Sequence, residues 1–230
     1  MLRYFKNYYD DSDNESIAHK FRMKRFLLFN KTFANILSSG EKVKILDVGG
    51  TEMYWENMGI TKYPKICILL LNLAKESTSN KNIESISGNA CDMKEFNNNQ
   101  FDIVFSNSVI EHVGDFQRQK SMANEIMRVG KNYFLQTPNY YFPFEPHYLF
   151  VGIHWLPVTF RAFLITRYSL GWVKRIPDYN QALKFVKDIR LLKYKELKSL
   201  FPRATILREK YIGLTKSFIV IELNNGQTTA

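Results

Sequence analysis

Five titratable side chains stand where a proton could be moved: Glu111 and His112, Glu145 and His147, and His154. A base of this kind takes the proton from a hydroxyl or a protonated amine as that group becomes a nucleophile. Glu111 and His112 follow the apolar run that starts at Phe101; His112 reads equally as a capping or packing residue. Glu145-Pro146-His147 lies in an aromatic stretch. There it is either a polar centre in an apolar pocket or a turn held by Pro143 and Pro146. A different chemistry is suggested by Val43-Lys44-Ile45-Leu46-Asp47-Val48-Gly49-Gly50-Thr51. A short Val/Ile/Leu run suits a strand covered on both faces. Gly49 and Gly50 then let the backbone turn sharply and pass close to a ligand, because no Cβ intervenes. In an open α/β sheet such a bend lies in the crevice beyond the strands, where ligands bind. A plain strand-to-helix turn is the alternative.

The elements that must position these residues follow from periodicity. Phe26, Phe29, Phe33 and Leu37 recur at helical steps within Ile17 to Leu37, and Gly40 suits the position past a helix end. Strands are expected at Val43 to Val48, Ile66 to Leu71, Ile83 to Ser87, Phe101 to Ser106 and Asn132 to Gln136. Thr51 is expected to cap one helix. Others are expected near Ala74 and over Phe116 to Met127. This alternation argues for a mainly parallel sheet with helices on both faces. After Pro138 the pattern becomes aromatic and poor in charge. A helix is expected to begin near Pro157, another to cover Pro177 to Asp188, and a short one Tyr194 to Leu200. Thr205 to Tyr211 and Phe218 to Leu223 read as a terminal hairpin around Gly213.

Composition narrows the function classes. The chain of 230 residues carries a formal charge of +10, with its basic residues spread rather than clustered. A solvated basic surface accounts for them, and no nucleic-acid motif is present, so no specific nucleic-acid partner is expected. Cys67 and Cys91, the two cysteines, fit neither a disulfide framework nor a zinc site, and no metal is expected. Asp10, Asp11, Asp13 and Glu15 stand where a signal peptide would be apolar, so the expected compartment is the cytoplasm. Tyr148 to Val173 is the most apolar region, but His154, Pro157, Arg161 and Arg167 interrupt it, which argues against a spanning helix. Trp172 beside Lys174 and Arg175 suits a lipid headgroup boundary. The region therefore reads as a lid, a dimer face or a peripheral membrane contact, and oligomeric state stays open.

Four blocks in order carry a family resemblance: Asp47-Val48-Gly49-Gly50-Thr51, Leu70-Leu71-Asn72-Leu73, Ser87-Gly88-Asn89-Ala90-Cys91-Asp92, and Phe101-Asp102-Ile103-Val104-Phe105-Ser106-Asn107-Ser108-Val109-Ile110-Glu111-His112-Val113. Over residues 42–138 they resemble the class I S-adenosylmethionine-dependent methyltransferases, in wording similar to bacterial domains of types 11 and 23. The resemblance implies a Rossmann-like α/β fold, with a doubly wound, mainly parallel seven-stranded sheet and an antiparallel last strand. It implies a methyltransferase domain over 41–223, preceded by a helical segment over 1–40. The aromatic and helical insertion over 139–190 would form a substrate lid. S-adenosylmethionine is the implied cofactor. Gly49, Gly50 and Thr51 would face its methionine part, with Asp47 just below. Asn72 would hold the ribose hydroxyls, and Asp92 would accept from the adenine amino group beside Ala90 and Cys91. Ser106 and Asn107 would lie near the methionyl end.

Two departures stand out. Family members usually space glycines at alternate positions, where this chain has Thr51 and Met53, and usually carry an acidic residue where it has Asn72. The expected activity is methyl transfer to an oxygen or nitrogen of a small-molecule or lipid-linked acceptor, with His112, Glu145 and His147 as candidate catalytic residues. The departures motivate the alternative, a non-catalytic cofactor-binding or scaffold protein on the same fold. A nicotinamide-binding domain would need a three-glycine fingerprint that is absent.

Overall fold

The computed structural model describes residues 17–60, 63–145, 148 and 150–224. Five strands run parallel in the order their apolar runs suggest: β1 (Val43–Val48), β2 (Ile66–Asn72), β3 (Ile83–Ser87), β4 (Ile103–Asn107) and β5 (Tyr133–Pro138). β8 (Thr205–Tyr211) and β9 (Leu214–Glu222) form the terminal hairpin, and β9 pairs antiparallel with β5. The seven-stranded sheet has the order β3-β2-β1-β4-β5-β9-β8. Strand order reverses at β1, since β2 and β3 are added on one side of it and β4 and β5 on the other. In open α/β sheets the crevice at such a reversal is where ligands bind. The register sets Val48 beside Leu71 and Ser106, Asn72 beside Ser87, and Asn107 beside Gln136. The carboxyl ends of five parallel strands therefore share one edge.

Alternation along the central strands supplies both cores. Val43, Ile45, Ile103, Phe105 and Phe134 face one side, with Phe26, Phe29 and Phe33 from the N-terminal helices α1 (Ile17–Thr32) and α2 (Ala34–Leu37) or the bend between them. Leu46, Val48, Val104 and Leu135 face the other, against Met122, Ala123 and Ile126 of α4 (Phe116–Val129) and Leu197 and Leu200 of α7 (Tyr194–Leu200). Helix α3 (Glu52–Asn57) starts at the expected cap, where Thr51 Oγ1 accepts from the Tyr54 N–H at 3.3 Å. A third cluster joins α5 (Val158–Arg167) to α6 (Tyr179–Lys187) through Ala162, Ile165, Ala182 and Val186. It belongs to the insertion after β5.

Three expectations change. The helix over Ile17 to Leu37 bends at Phe33 (φ −104°, ψ 18°), which seats a fully buried ring 5.2 Å from that of Phe29. No helix forms near Ala74. Instead the Glu52 carboxylate accepts the N–H groups of Ser79 at 3.0 Å and Asn80 at 2.6 Å, and the Ser85 hydroxyl accepts that of Glu76 at 3.0 Å. Side-chain partners of this kind satisfy the backbone without a helical ladder. The insertion also contains a small hairpin, β6 (Phe144–Glu145) with β7 (Phe150–Val151), which periodicity did not indicate.

Candidate active site

The glycine bend is built from below. Gly49 has φ +79°, and its N–H donates to Leu71 O at 2.9 Å. A Cβ at Gly49 would meet Val109 Cγ2 at 2.4 Å, and one at Gly50 would meet Asp47 Oδ2 at 1.6 Å. The loop's own packing on the strand beneath thus excludes side chains there. Asp47 is 1% exposed, and one of its oxygens accepts from Trp55 Nε1 at 2.7 Å. Its other oxygen is buried with no hydrogen-bond partner among the described residues. Burial pushes its pKa up to about 7, against a smaller downward pull from Trp55.

The ends of the next strands are laced to this bend. Asn72 Nδ2 donates to Gly50 O at 2.9 Å, and the Gly88 N–H donates to Asn72 O at 2.8 Å. Asn72 therefore holds the bend with its amide nitrogen, which leaves Oδ1 as an acceptor. A turn follows β3. Asn89 Oδ1 accepts from the Cys91 N–H at 3.0 Å and Asn89 O from the Asp92 N–H at 2.9 Å. Ala90 and Cys91 are half-buried against the α4 side of the core, while Asp92 is exposed and paired with Lys94 at 2.9 Å. Ser106 is buried and donates from Oγ to Val48 O at 3.2 Å, joining the ends of β4 and β1. Asp47, Asn72 and the Ala90–Asp92 turn thus border one strand-end edge with Ser106 and Asn107.

This edge fits an adenosyl sulfonium by three features. The bend excludes side chains, the Asn72 amide keeps a free acceptor oxygen, and the carboxylate beneath has an unsatisfied oxygen. The residues of this edge that could hold such a group are Gly49 to Thr51, Asn72, Ala90 to Asp92, Ser106 and Asn107.

Next to it lies a cavity of about 790 Å³ over β4 and β5. Asn107, Ser108, Glu111 and Gln136 line its strand-end wall, and Phe142, Phe144 and Trp172 of the insertion its outer wall. The size is that of a site for a drug-sized ligand. Asp47, Asn72 and Asp92 do not line it, whereas Asn107 and Ser108, at and just past the end of β4, do. Ser108 has φ +58°, and its hydroxyl donates to Gln136 Oε1 at 2.7 Å. Arg25 reaches in from α1 and donates to Asn107 Oδ1 at 2.6 Å, Gln136 Oε1 at 3.3 Å and Glu209 Oε1 at 3.0 Å.

The candidate proton acceptors are dispersed. Glu111 is fully buried, accepts from Thr137 Oγ1 at 3.1 Å and lines the cavity. His112 is exposed and does not line it. His154 is buried with Nε2 2.9 Å from Tyr140 O, beside a separate cavity of about 190 Å³. His147 and the side chain of Glu145 lie outside the described residues; Glu145 contributes backbone to β6. Sequence reasoning missed Arg25 and Lys216, which also lines the cavity. The available signal was the spacing of Ala18, Arg22 and Arg25 along one helical face. Among the described residues no group of three or more His, Cys, Asp or Glu could hold a metal ion. No helix among them is long and apolar enough to cross a membrane.

Comparison with known proteins bears on the fold. Residues 59–133 match the family model described as a methyltransferase domain. Two uncharacterized proteins of Mycobacterium tuberculosis, from strains CDC 1551 / Oshkosh and H37Rv, are each 37% identical over 49 residues, 21% of this chain. The chain matches only 17% of their length. The CurJ carbon methyltransferase structure superposes with a TM-score of 0.57 at 11% identity, over 96% of this chain and 57% of that one. The N-terminal domain of EvdMO1, solved in the presence of SAH and D-fucose, gives 0.51 at 17% identity, over 90% and 83%. At these identities the two structures establish a shared fold.

Proposed function

We propose that this chain, a class I S-adenosylmethionine-dependent methyltransferase by fold and by its methyltransferase-domain match, methylates an oxygen or nitrogen of a small-molecule or lipid-linked acceptor held in the 790 Å³ cavity. The observation that carries the reading is the junction at Asn107 and Ser108. There the end of β4, the strand paired with the one that runs into the glycine bend, lines a ligand-sized cavity.

When bound, S-adenosylmethionine supplies a methyl group on a positively charged sulfur. The chain's contribution is alignment and exclusion of water, and orientation alone supplies much of the rate in such a displacement. Gly49 and Gly50 hold the backbone low over Asp47, and Asn72 fixes that bend while offering Oδ1 to a ribose hydroxyl. Asp92 offers a carboxylate to an adenine amino group. Arg25 clamps Asn107 and Gln136, so the floor at the junction is rigid. A hydroxyl acceptor must give up its proton. Glu111 lines the cavity and so precedes the exposed His112 as a proton acceptor.

A lipid-linked acceptor is favoured by one further observation. Phe150, Trp155, Phe160, Phe163 and Trp172 of the insertion are all exposed, and Trp172 also lines the cavity.

The test is calorimetry of the purified chain with S-adenosylmethionine and S-adenosylhomocysteine, followed by transfer of labelled methyl to a metabolite and lipid extract. Both ligands are expected to bind, and label to appear in one acceptor class. Asp92→Ala is expected to weaken binding by about 1–3 kcal/mol, the cost of losing one hydrogen-bond partner. Absence of binding by either ligand overturns the reading. Tight binding with no transfer favours the non-catalytic alternative.

A further inference from the structure

The cavity is lopsided in charge. Helix α1 turns Ala18, Arg22 and Arg25 toward it at four- and three-residue steps, while Phe26, Phe29 and Phe33 face the sheet or its core. Beneath α1, Lys216 of β9 lines the same wall, and Ser217 beside it donates to Glu209. Glu209 also pairs with Arg25 Nε at 3.0 Å, so its one negative charge is committed there. The Lys216 ammonium lies 3.8 Å from the centre of the Phe21 ring. It makes no hydrogen bond or ion pair with another described residue. Glu111, the carboxylate that lines the cavity, stands on the strand-end wall and accepts from Thr137.

An ammonium beneath a helix, beside a guanidinium, is poorly hydrated and costly to keep charged. The pKa of Lys216 reflects this. Burial lowers it most, then Arg25; Glu209 pulls it up less, Arg22 lowers it further, and it falls to about 8. A solvated basic surface would produce no such arrangement. A negative group brought to this wall would relieve the repulsion and supply the missing hydrogen-bond acceptor, and charge-assisted bonds of that kind are the strong ones. The wall supplied by the insertion is mainly apolar, with Phe142, Trp172, Ile176 and Phe185, and carries one further cation, the exposed Lys174.

We propose that the α1 end of the cavity is an anion subsite, built by Lys216, Arg25 and Arg22, which takes a carboxylate or phosphate group of an acceptor whose apolar body lies against Phe142, Trp172 and Phe185. That the anion belongs to the methyl acceptor rests on the function proposed above; the existence of the subsite does not.

The experiment uses the full chain and four probes of matched body: 3-phenylpropionate, 2-phenylethyl phosphate, neutral 3-phenylpropanol and cationic 3-phenylpropylamine. Dissociation constants are read by calorimetry with and without S-adenosylhomocysteine. Each anion is expected to bind at least about tenfold tighter than the alcohol, and the amine no better than the alcohol. Lys216→Met should shrink the anion-to-alcohol ratio to less than about threefold, while Lys216→Arg, which keeps the charge, retains it. The tighter of the two anions identifies the acceptor as a carboxylate or a phosphate ester. An alcohol or amine that matches the anions overturns the subsite, as does no anion binding at millimolar concentration or a ratio unchanged in Lys216→Met. Failure of S-adenosylhomocysteine to bind in the same samples counts against the methyltransferase function alone, because the probe ratios are read without it.

Discussion

Asp47 is a carboxyl group whose surroundings favour the proton. Its pKa rises from 3.8 to about 7, chiefly through burial, and the Trp55 bond offsets only part of that. Between those values the native state keeps a proton that the unfolded chain has released, so stability falls as pH rises. The contribution of this group is complete below about pH 4 and lost as pH passes about 7. Asp47→Asn cannot ionise and keeps an oxygen for Trp55. In urea titrations across that window, the wild-type midpoint should fall relative to that of the variant; parallel curves would refute the raised pKa. The residue's importance was legible because an acidic group closes the first apolar run. Its burial was not, because the run itself gives no sign of Trp55 folding back from α3. The glycines illustrate the same gap. Their presence marks the bend, but the atoms that demand them, Val109 Cγ2 and Asp47 Oδ2, come from residues whose contacts only the fold reveals.

At the scale of elements, α1 joins the core to the cavity. Phe29 is fully buried and meets Trp55, Phe105 and Phe134 at ring distances of 6.0, 5.4 and 5.7 Å. Phe29→Ala should cost about 3–5 kcal/mol, the range for truncating a buried aromatic. Chemical denaturation measures this directly, and a loss below about 1 kcal/mol would mean that α1 is a detachable cover. The aromatic stripe of α1 was readable because its 3.6-residue period is a burial signal. Its cationic stripe left only the spacing of Ala18, Arg22 and Arg25 as a signal, and that is weak because lysines and arginines spread along a chain usually face water. Four of the five parallel strands were equally readable as apolar runs followed by polar residues, whereas β3, which alternates Ile with Glu and Ser, gave a weaker signal. The segment between β2 and β3 misled for a definite reason: its backbone is satisfied by Glu52, 27 and 28 residues earlier in sequence, and local propensity carries no trace of that carboxylate.

At the scale of the whole molecule, the insertion carries apolar surface on the outside. Phe160 and Phe163 of α5 are 48% and 45% exposed, with ring centres 6.4 Å apart, and the Arg167 guanidinium lies 5.6 Å from the centre of the Phe163 ring. The sheet domain needs none of this exposure, because the inner face of the insertion is already covered through Ala162 and Ile165. Exposed aromatics beside cations, on a chain of formal charge +10, match the boundary of an anionic bilayer, where rings enter the acyl region and cations meet headgroups. The cavity shares Trp172 with this aromatic insertion, so a lipid-linked acceptor would have a short path inward. Co-sedimentation with phosphatidylglycerol vesicles should therefore be strong at low salt, weaken as salt screens the charge, and be nearly absent with neutral phosphatidylcholine. Replacing Phe160 and Phe163 together with Ser should reduce vesicle binding by at least about tenfold, since each ring would lose roughly 1–2 kcal/mol of apolar transfer. The same variant should keep its unfolding midpoint, because half-exposed rings contribute little to the core. Equal sedimentation of wild type and variant would remove the bilayer as the partner of this face and leave a soluble acceptor for the cavity.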